Sequence, residues 1–119
     1  NDFEALGIPL CIATEDGSKG YKGLVTGALK EYLPRFPREN LNFYTCGPNP
    51  MMKAVAQIAL DARIPCQLSV ESKMACGFGV CLGCSVMTKS GQKLVCTDGP
   101  VFEADSFLWE EDWKVIKKR

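Results

Sequence analysis

Four of the chain's seven cysteines, Cys76, Cys81, Cys84 and Cys96, fall within a 21-residue window in the spacing C-x4-C-x2-C-x11-C. Thiols this dense either pair as disulfides or hold metal. The odd total fits poorly with a fully paired disulfide framework, and nothing else in the sequence points to an oxidising compartment. Structural zinc favours two C-x2-C pairs, whereas only Cys81 and Cys84 have that spacing. The first three positions match the plant-type arrangement for a 2Fe-2S centre, with Cys96 as the fourth ligand. Gly77, Gly79 and Gly83 are interleaved among them. A loop that wraps two irons must turn backbone N–H groups inward and adopt positive φ at some positions, which glycine permits.

The rest of the composition narrows the chemistry. Histidine is absent from the 119 residues, which excludes imidazole general bases, Cys2His2 zinc sites, Rieske clusters and His-ligated haem. Fourteen basic against fourteen acidic residues leave no net field, which argues against nucleic acid as a partner. No apolar run approaches the roughly 18 residues of a membrane-spanning helix, and the first residues lack a secretory pattern. The expectation is a cytoplasmic protein without a membrane partner. The length suits one ordinary domain, or one small domain with a cysteine-rich appendix.

Upstream of the cysteine window, apolar runs alternate with helical periodicity. Pro9 to Ala13 reads as a buried strand ending in the loop Thr14-Glu-Asp-Gly-Ser-Lys-Gly20. Between Tyr21 and Leu33, Val25, Ala28, Leu29 and Tyr32 recur at helical spacing until Pro34 stops the pattern. Asn42 to Cys46 predicts a second strand. Asn49 as N-cap and Pro50 at the first helical position predict a helix burying Met51, Met52, Val55, Ala56, Ile58, Ala59 and Ala62, and ending near Arg63. Cys66 to Val70 alternates as a half-buried strand, and in both Cys66 and Cys11 a free thiol reads as a small core residue. Strand, helix, strand, helix, strand predicts an α/β fold with a parallel sheet. Three strands are few for such a sheet, so the chain is expected to be a fragment or to complete its sheet elsewhere. Ser85 to Lys89 and Gln92 to Cys96 predict a hairpin around Ser90-Gly91. The tail, rich in aromatic residues, gives no readable pattern.

Two loops are candidates for a nucleotide. Cys46-Gly47-Pro48, with Met51 just beyond, lies at the carboxyl end of a predicted parallel strand and opens a helix, where open α/β sheets bind ligands. An ordinary capped turn reads the same. Thr14, Glu15 and Asp16 likewise end a predicted strand, where acidic groups accept hydrogen bonds from ribose hydroxyls and repel a 2′-phosphate, favouring NAD over NADP. On the residues alone a solvated turn is the simpler reading. No G-x-G-x-x-G occurs.

From about Phe3 to Trp109 the chain resembles the electron-transfer subunits of dihydroorotate dehydrogenase B, in the ferredoxin reductase superfamily. The resemblance rests on Thr14-Glu-Asp-Gly-Ser18, Lys22-Gly-Leu-Val-Thr26, Tyr44-Thr-Cys-Gly-Pro48, Met51-Met52, the block from Glu71 to Cys84, and Cys96-Thr-Asp-Gly-Pro-Val-Phe102. It implies FAD on an amino-terminal barrel, NAD on an α/β domain, a 2Fe-2S cluster on a carboxyl-terminal module, and a hetero-oligomer with an FMN-containing catalytic subunit. Electrons from dihydroorotate would pass from FMN through the cluster to FAD and then to NAD, in pyrimidine biosynthesis. Cys46, Gly47 and Pro48 would lie near the nicotinamide and the Thr14 loop near the adenosine ribose. Cys76, Cys81, Cys84 and Cys96 would be the cluster ligands.

Neither the flavin barrel nor the glycine-rich loop of the NAD domain is present in the sequence. The resemblance therefore implies a carboxyl-terminal fragment, not catalytic alone. Residues 1–71 would be part of an NAD-binding, ferredoxin reductase-like domain, residues 72–109 a small plant-ferredoxin-like loop and hairpin holding the cluster, and residues 110–119 a tail without an assigned role. The nearest alternative is the small subunit of a ferredoxin:NADP oxidoreductase or sulfide dehydrogenase, in which an Asp replaces one cysteine. A structural zinc-binding interaction module is the alternative of another class.

Overall fold

The structure is a computed structural model and describes residues 2–109, so the tail at 110–119, with Trp113, lies outside the described residues. Two compact units divide at Pro37, giving residues 1–37 and 38–119. The division of packing therefore falls well before Glu71, where the composition changes.

In the first unit a four-residue helix, α1 (Asp2–Ala5), precedes two short strands, β1 (Ala13–Thr14) and β2 (Tyr21–Lys22), and helix α2 (Val25–Tyr32). The strands pair in parallel, Ala13 with Tyr21 and Thr14 with Lys22. Two expectations are corrected here. The strand predicted from Pro9 is paired only over Ala13 and Thr14, because β2 is too short to offer the preceding residues a partner. Cys11 is accordingly exposed and not a core residue. The helix predicted from Tyr21 starts at Val25, since Tyr21 and Lys22 are held in the β1–β2 pair. Gly20 makes the close crossing of the two strands possible. A Cβ there would run into the Ile12 carbonyl oxygen, and the same carbonyl accepts the Tyr21 N–H at 2.7 Å.

The second unit is built on β3 (Phe43–Cys46), helix α3 (Asn49–Asp61) and β4 (Cys66–Ser69). β3 and β4 are parallel, with Phe43 opposite Cys66 and Cys46 opposite Ser69, and α3 crosses over and packs on both. The predicted stripe accounts for the packing: Met52, Val55, Ala56 and Ala59 are buried, while Met51, Ile58 and Ala62 sit half-buried at its margins. Thr45 and Leu68 meet the helix from the sheet's inner face, and Leu68 and Met52 have no solvent exposure at all. Asn49 is the first helical residue and Pro48 the cap, one position earlier than expected, with no side-chain capping bond. Arg63 takes a left-handed φ of 56° directly after the helix, turning the chain into β4.

The third neighbour in this sheet is unexpected. β7 (Val101–Glu103) lies antiparallel on the free edge of β4, with Leu68 opposite Phe102, so the order is β3-β4-β7. Parallel pairing is thus confined to β1–β2 and β3–β4, and no single parallel sheet of three strands forms among the described residues. Between β4 and β7 comes the cysteine loop and the predicted hairpin, β5 (Ser85–Thr88) and β6 (Gly91–Leu94), joined through Lys89-Ser90. A last strand, β8 (Phe107–Leu108), pairs with the other edge of β5. Phe102 of β7 meets Phe107 of β8 at 5.9 Å between ring centroids, and Phe107 meets Trp109 edge-on at 4.8 Å. Aromatic residues that had no readable pattern therefore join the two small sheets. Cys66 is buried on β4 as expected, and burial pushes its thiol above the ordinary value.

Candidate metal centre and nucleotide loops

The four cysteines of the window come from a loop and a turn that face each other. Cys76, Cys81 and Cys84 lie on the irregular segment leading into β5, and Cys96 follows β6. The β5–β6 pairing sets Ser85 opposite Leu94. The Val95 N–H then donates to the Cys84 carbonyl at 3.1 Å, and the Cys96 N–H to Cys84 Sγ at 3.4 Å. Asp98 closes the turn that presents Cys96: its Oδ2 accepts the Leu94 N–H at 2.7 Å, and its own N–H donates to the Leu94 carbonyl at 2.7 Å. Sequence reasoning missed this residue, although Asp98-Gly99-Pro100 is a turn signal placed immediately after a ligand candidate.

Backbone N–H groups converge on sulfur throughout the loop. Cys76 Sγ accepts three, from Phe78 at 3.5 Å, Val80 at 3.4 Å and Cys81 at 3.4 Å, and Cys81 Sγ accepts the Gly83 N–H at 3.4 Å. Gly77 and Gly79 supply the positive φ, 73° and 88°, that curls the chain around Cys76. Gly83 does not; the third left-handed position is Leu82, with φ 60°. The electrostatic result favours thiolates at Cys76 and Cys84. The N–H groups of Cys81, Phe78 and Val80 bring the Cys76 thiol down from 9.0 to about 6. The Cys96 N–H likewise lowers that of Cys84, whose thiolate in turn raises Cys96.

The thiols interact with one another: Cys76 with Cys81, Cys84 with Cys96, and Cys76 with Cys96. No disulfide is formed. Among the described residues no three Cys, Asp or Glu side chains gather tightly enough to hold one ion. A tetrahedral zinc needs four donors on a single centre. A 2Fe-2S cluster needs two thiolates on each of two irons, and four cysteines whose sulfurs meet inward-turned backbone N–H groups supply that donor set. The residues present fit that group.

The two nucleotide candidates lie in different units. Thr14 Oγ1 donates to the Lys19 carbonyl at 2.8 Å and accepts the Lys19 N–H at 3.1 Å. Asp16 Oδ1 accepts the Ser18 N–H at 2.9 Å, and that bond holds its carboxyl below the usual range. Glu15 is exposed beside them. The loop is therefore a closed turn whose Thr14 hydroxyl is already engaged. In the second unit, Cys46, Gly47 and Pro48 join the end of β3 to the start of α3. A Cβ on Gly47 would lie 2.5 Å from Met51 Cε, so the Met51 side chain is tucked beneath the loop. Cys46 is exposed and lines a cleft of about 200 Å³ with Tyr44, Thr45, Gln67, Ser69 and Val101. That volume is smaller than a typical whole-ligand pocket and suits one ring of a larger molecule.

Residues 9–57 match the oxidoreductase NAD-binding domain family, and residues 71–108 match the iron-sulfur cluster binding domain of dihydroorotate dehydrogenase B. The chain is 44% identical over 111 residues to the dihydroorotate dehydrogenase B (NAD(+)) electron transfer subunit of Caldanaerobacter subterraneus subsp. tengcongensis, covering 90% of this chain and 43% of that one. It is 40% identical over 103 residues to the same subunit of Desulforamulus reducens, covering 83% of this chain and 38% of that one. It thus spans about two fifths of these relatives' length. A solved structure described as an NADH-dependent reduced ferredoxin-NADP oxidoreductase, studied for flavin-based electron bifurcation, superposes with a TM-score of 0.75 at 30% identity. That likeness covers 100% of this chain and 42% of that one.

An α/β unit of the NAD-binding type followed by an iron-sulfur loop defines an oxidoreductase module with the ferredoxin reductase-like fold. Over both matched segments the chain is similar to the dihydroorotate dehydrogenase B electron transfer subunits.

Proposed function

We propose that the chain relays single electrons through a 2Fe-2S cluster held by Cys76, Cys81, Cys84 and Cys96, between a dihydroorotate-oxidising subunit and a flavin and NAD side. The observation that carries this reading is the convergence of inward-turned N–H groups on the sulfurs of Cys76, Cys81 and Cys84, with Cys96 donating its own N–H to Cys84. When bound, the cluster supplies one-electron chemistry between two-electron partners. The chain's own part is to hold the thiolates, exclude competing ligands and set the potential through N–H donors. The overall reaction balances as dihydroorotate and NAD⁺ giving orotate, NADH and a proton. FMN would sit on the catalytic subunit of a hetero-oligomer, and FAD on the portion of the subunit that relatives possess outside the matched segment. Residues 1–71 would serve the nucleotide and 72–109 the cluster, a division of labour supported by the two family matches.

Anaerobic loading should give a red-brown chain with two irons and two labile sulfides that takes up one electron in a reductive titration. A colourless chain holding one zinc would refute the reading. At the nucleotide side, Cys46, Gly47, Pro48 and Met51 would border the nicotinamide, while Glu15 and Asp16 would disfavour a 2′-phosphate. In the complete protein with its flavins and partner, NADH should outperform NADPH as reductant in the reverse direction. The opposite order would remove both carboxylates from the site.

The second reading, a subunit of a ferredoxin-NADP oxidoreductase, is favoured by the structural likeness at 30% identity. Against it stand the higher identity to dihydroorotate dehydrogenase B subunits, 44% and 40%, and four cysteines where an Asp was expected.

A further inference from the structure

We propose that Asp98 is a positioning residue for the candidate metal centre: by engaging both outward backbone groups of Leu94 it clamps the turn that carries Cys96, and so fixes where the fourth thiol stands. The inference rests on the cluster reading above and adds a residue that holds a ligand without being one. Cys76, Cys81 and Cys84 share one loop, whereas Cys96 arrives from the far side of the β5–β6 hairpin. Its placement therefore depends on how the chain turns after Leu94.

The strand register explains why Leu94 needs a partner outside the hairpin. In an antiparallel ladder hydrogen-bonded and non-hydrogen-bonded pairs alternate, so successive residues aim their N–H and C=O groups to opposite sides. Val95 aims inward, donating to the Cys84 carbonyl at 3.1 Å, and Leu94 therefore aims away from β5. Among the described residues no strand lies on that side, because β6 is the edge of its sheet. Asp98 serves both groups: its Oδ2 accepts the Leu94 N–H at 2.7 Å, and its own N–H donates to the Leu94 carbonyl at 2.7 Å. The bond to the carboxylate is charge-assisted and the stronger of the two. The segment from Leu94 to Asp98 is thus closed twice, with Cys96 at its middle.

The closed turn is seated on both sides. Beyond Asp98, a Cβ on Gly99 would meet Phe102 Cε2 at 2.6 Å, so the chain passes against the ring of a residue buried in β7. Within the turn, Thr97 Cγ2 would lie 3.1 Å from a Cβ on Gly79, which places Thr97 against the cysteine loop at one of its left-handed positions. Between these two contacts the Cys96 N–H reaches Cys84 Sγ at 3.4 Å. Without the carboxylate only the backbone closure remains and the Leu94 N–H must turn to water. The turn then gains conformers, and Cys96 is no longer held to one position beside Cys84. Removing a group that orients a metal ligand typically costs about 10–100-fold in metal affinity or activity.

The test uses the full chain loaded anaerobically with iron and sulfide. Two readouts are taken: the electron paramagnetic resonance spectrum after reduction with dithionite, and the rate at which a ferrous chelator strips the iron. Asp98→Ala should shift the g values and release iron about tenfold faster than the parent. Asp98→Asn, whose amide oxygen can accept the same N–H, should keep the parent's g values and release rate. Val55→Ala, a core change on α3, should lower the unfolding midpoint yet keep the parent's g values, which separates ligand placement from stability. Release within about threefold of the parent in Asp98→Ala overturns the proposal, as does an Asn variant that behaves like Ala or a Val55→Ala variant that shifts the g values in the same way. A parent that binds no iron-sulfur centre overturns the cluster reading and this proposal with it; a loaded parent matched by Asp98→Ala overturns the proposal alone.

Discussion

Cys81→Ser is expected to lose most of its visible absorbance and to retain less than half of the parent's iron after anaerobic loading. The Cys81 N–H donates to Cys76 Sγ at 3.4 Å, and the Cys81 sulfur accepts the Gly83 N–H at 3.4 Å. A serine oxygen is a harder ligand, suited to other metals than iron-sulfur clusters, and it lies closer to the backbone than sulfur does. With one of four donors gone the set would be too small to hold the cluster. The control is Cys11→Ser, an exposed cysteine outside the window, which should load like the parent. Unchanged absorbance in Cys81→Ser would remove that residue from the ligand set.

Leu68→Ala should produce the largest loss of stability among single core changes, about 3 kcal/mol within the 2–5 kcal/mol range of buried leucine truncations. Leu68 is fully buried on β4, the central strand of its sheet, between Thr45 of β3 and Phe102 of β7. Backbone pairing on both sides prevents β4 from shifting to fill the space, so most of the cavity persists. Urea unfolding should show a lower midpoint with an unchanged slope. Leu60→Ala, on the outer side of α3 and 46% exposed, should cost less than about 1 kcal/mol. A cost below about 1 kcal/mol at Leu68 would mean that β4 is not the centre of the core.

The elements legible in advance were those whose signals are local. The α3 stripe was readable because Met52, Val55, Ala56 and Ala59 repeat at helical spacing and all face one sheet. The β5–β6 hairpin was readable because Ser90-Gly91 marks its turn. What stayed hidden depends on pairing between distant segments. Val101-Phe-Glu103 is too short to announce a strand, and becomes one only because β4 has a free edge for it. Pro9 to Ile12 carried an apolar signal, yet only Ala13 and Thr14 find a strand partner. At the candidate centre, cysteine spacing named the thiols, but the three N–H groups on Cys76 and the turn closed by Asp98 follow from φ values that spacing does not encode. Glycine content suggested left-handed positions at Gly77 and Gly79 correctly and placed the third one residue too late, at Gly83 instead of Leu82.

The antiparallel join of β7 to β4 gives the cysteine segment a narrow neck. Ser69 lies opposite Val101, and just beyond it the Val70 N–H donates to the Pro100 carbonyl at 2.9 Å. Residues 71–100 leave and re-enter the sheet at one point, as a tied bag does. Because the entropy of bringing loop ends together is met by the sheet, the cost of gathering four sulfurs grows only with the length enclosed, and slowly at that. Assembly of the inorganic centre can therefore begin on a chain whose ends are already fastened, and its loss should empty the bag without untying it.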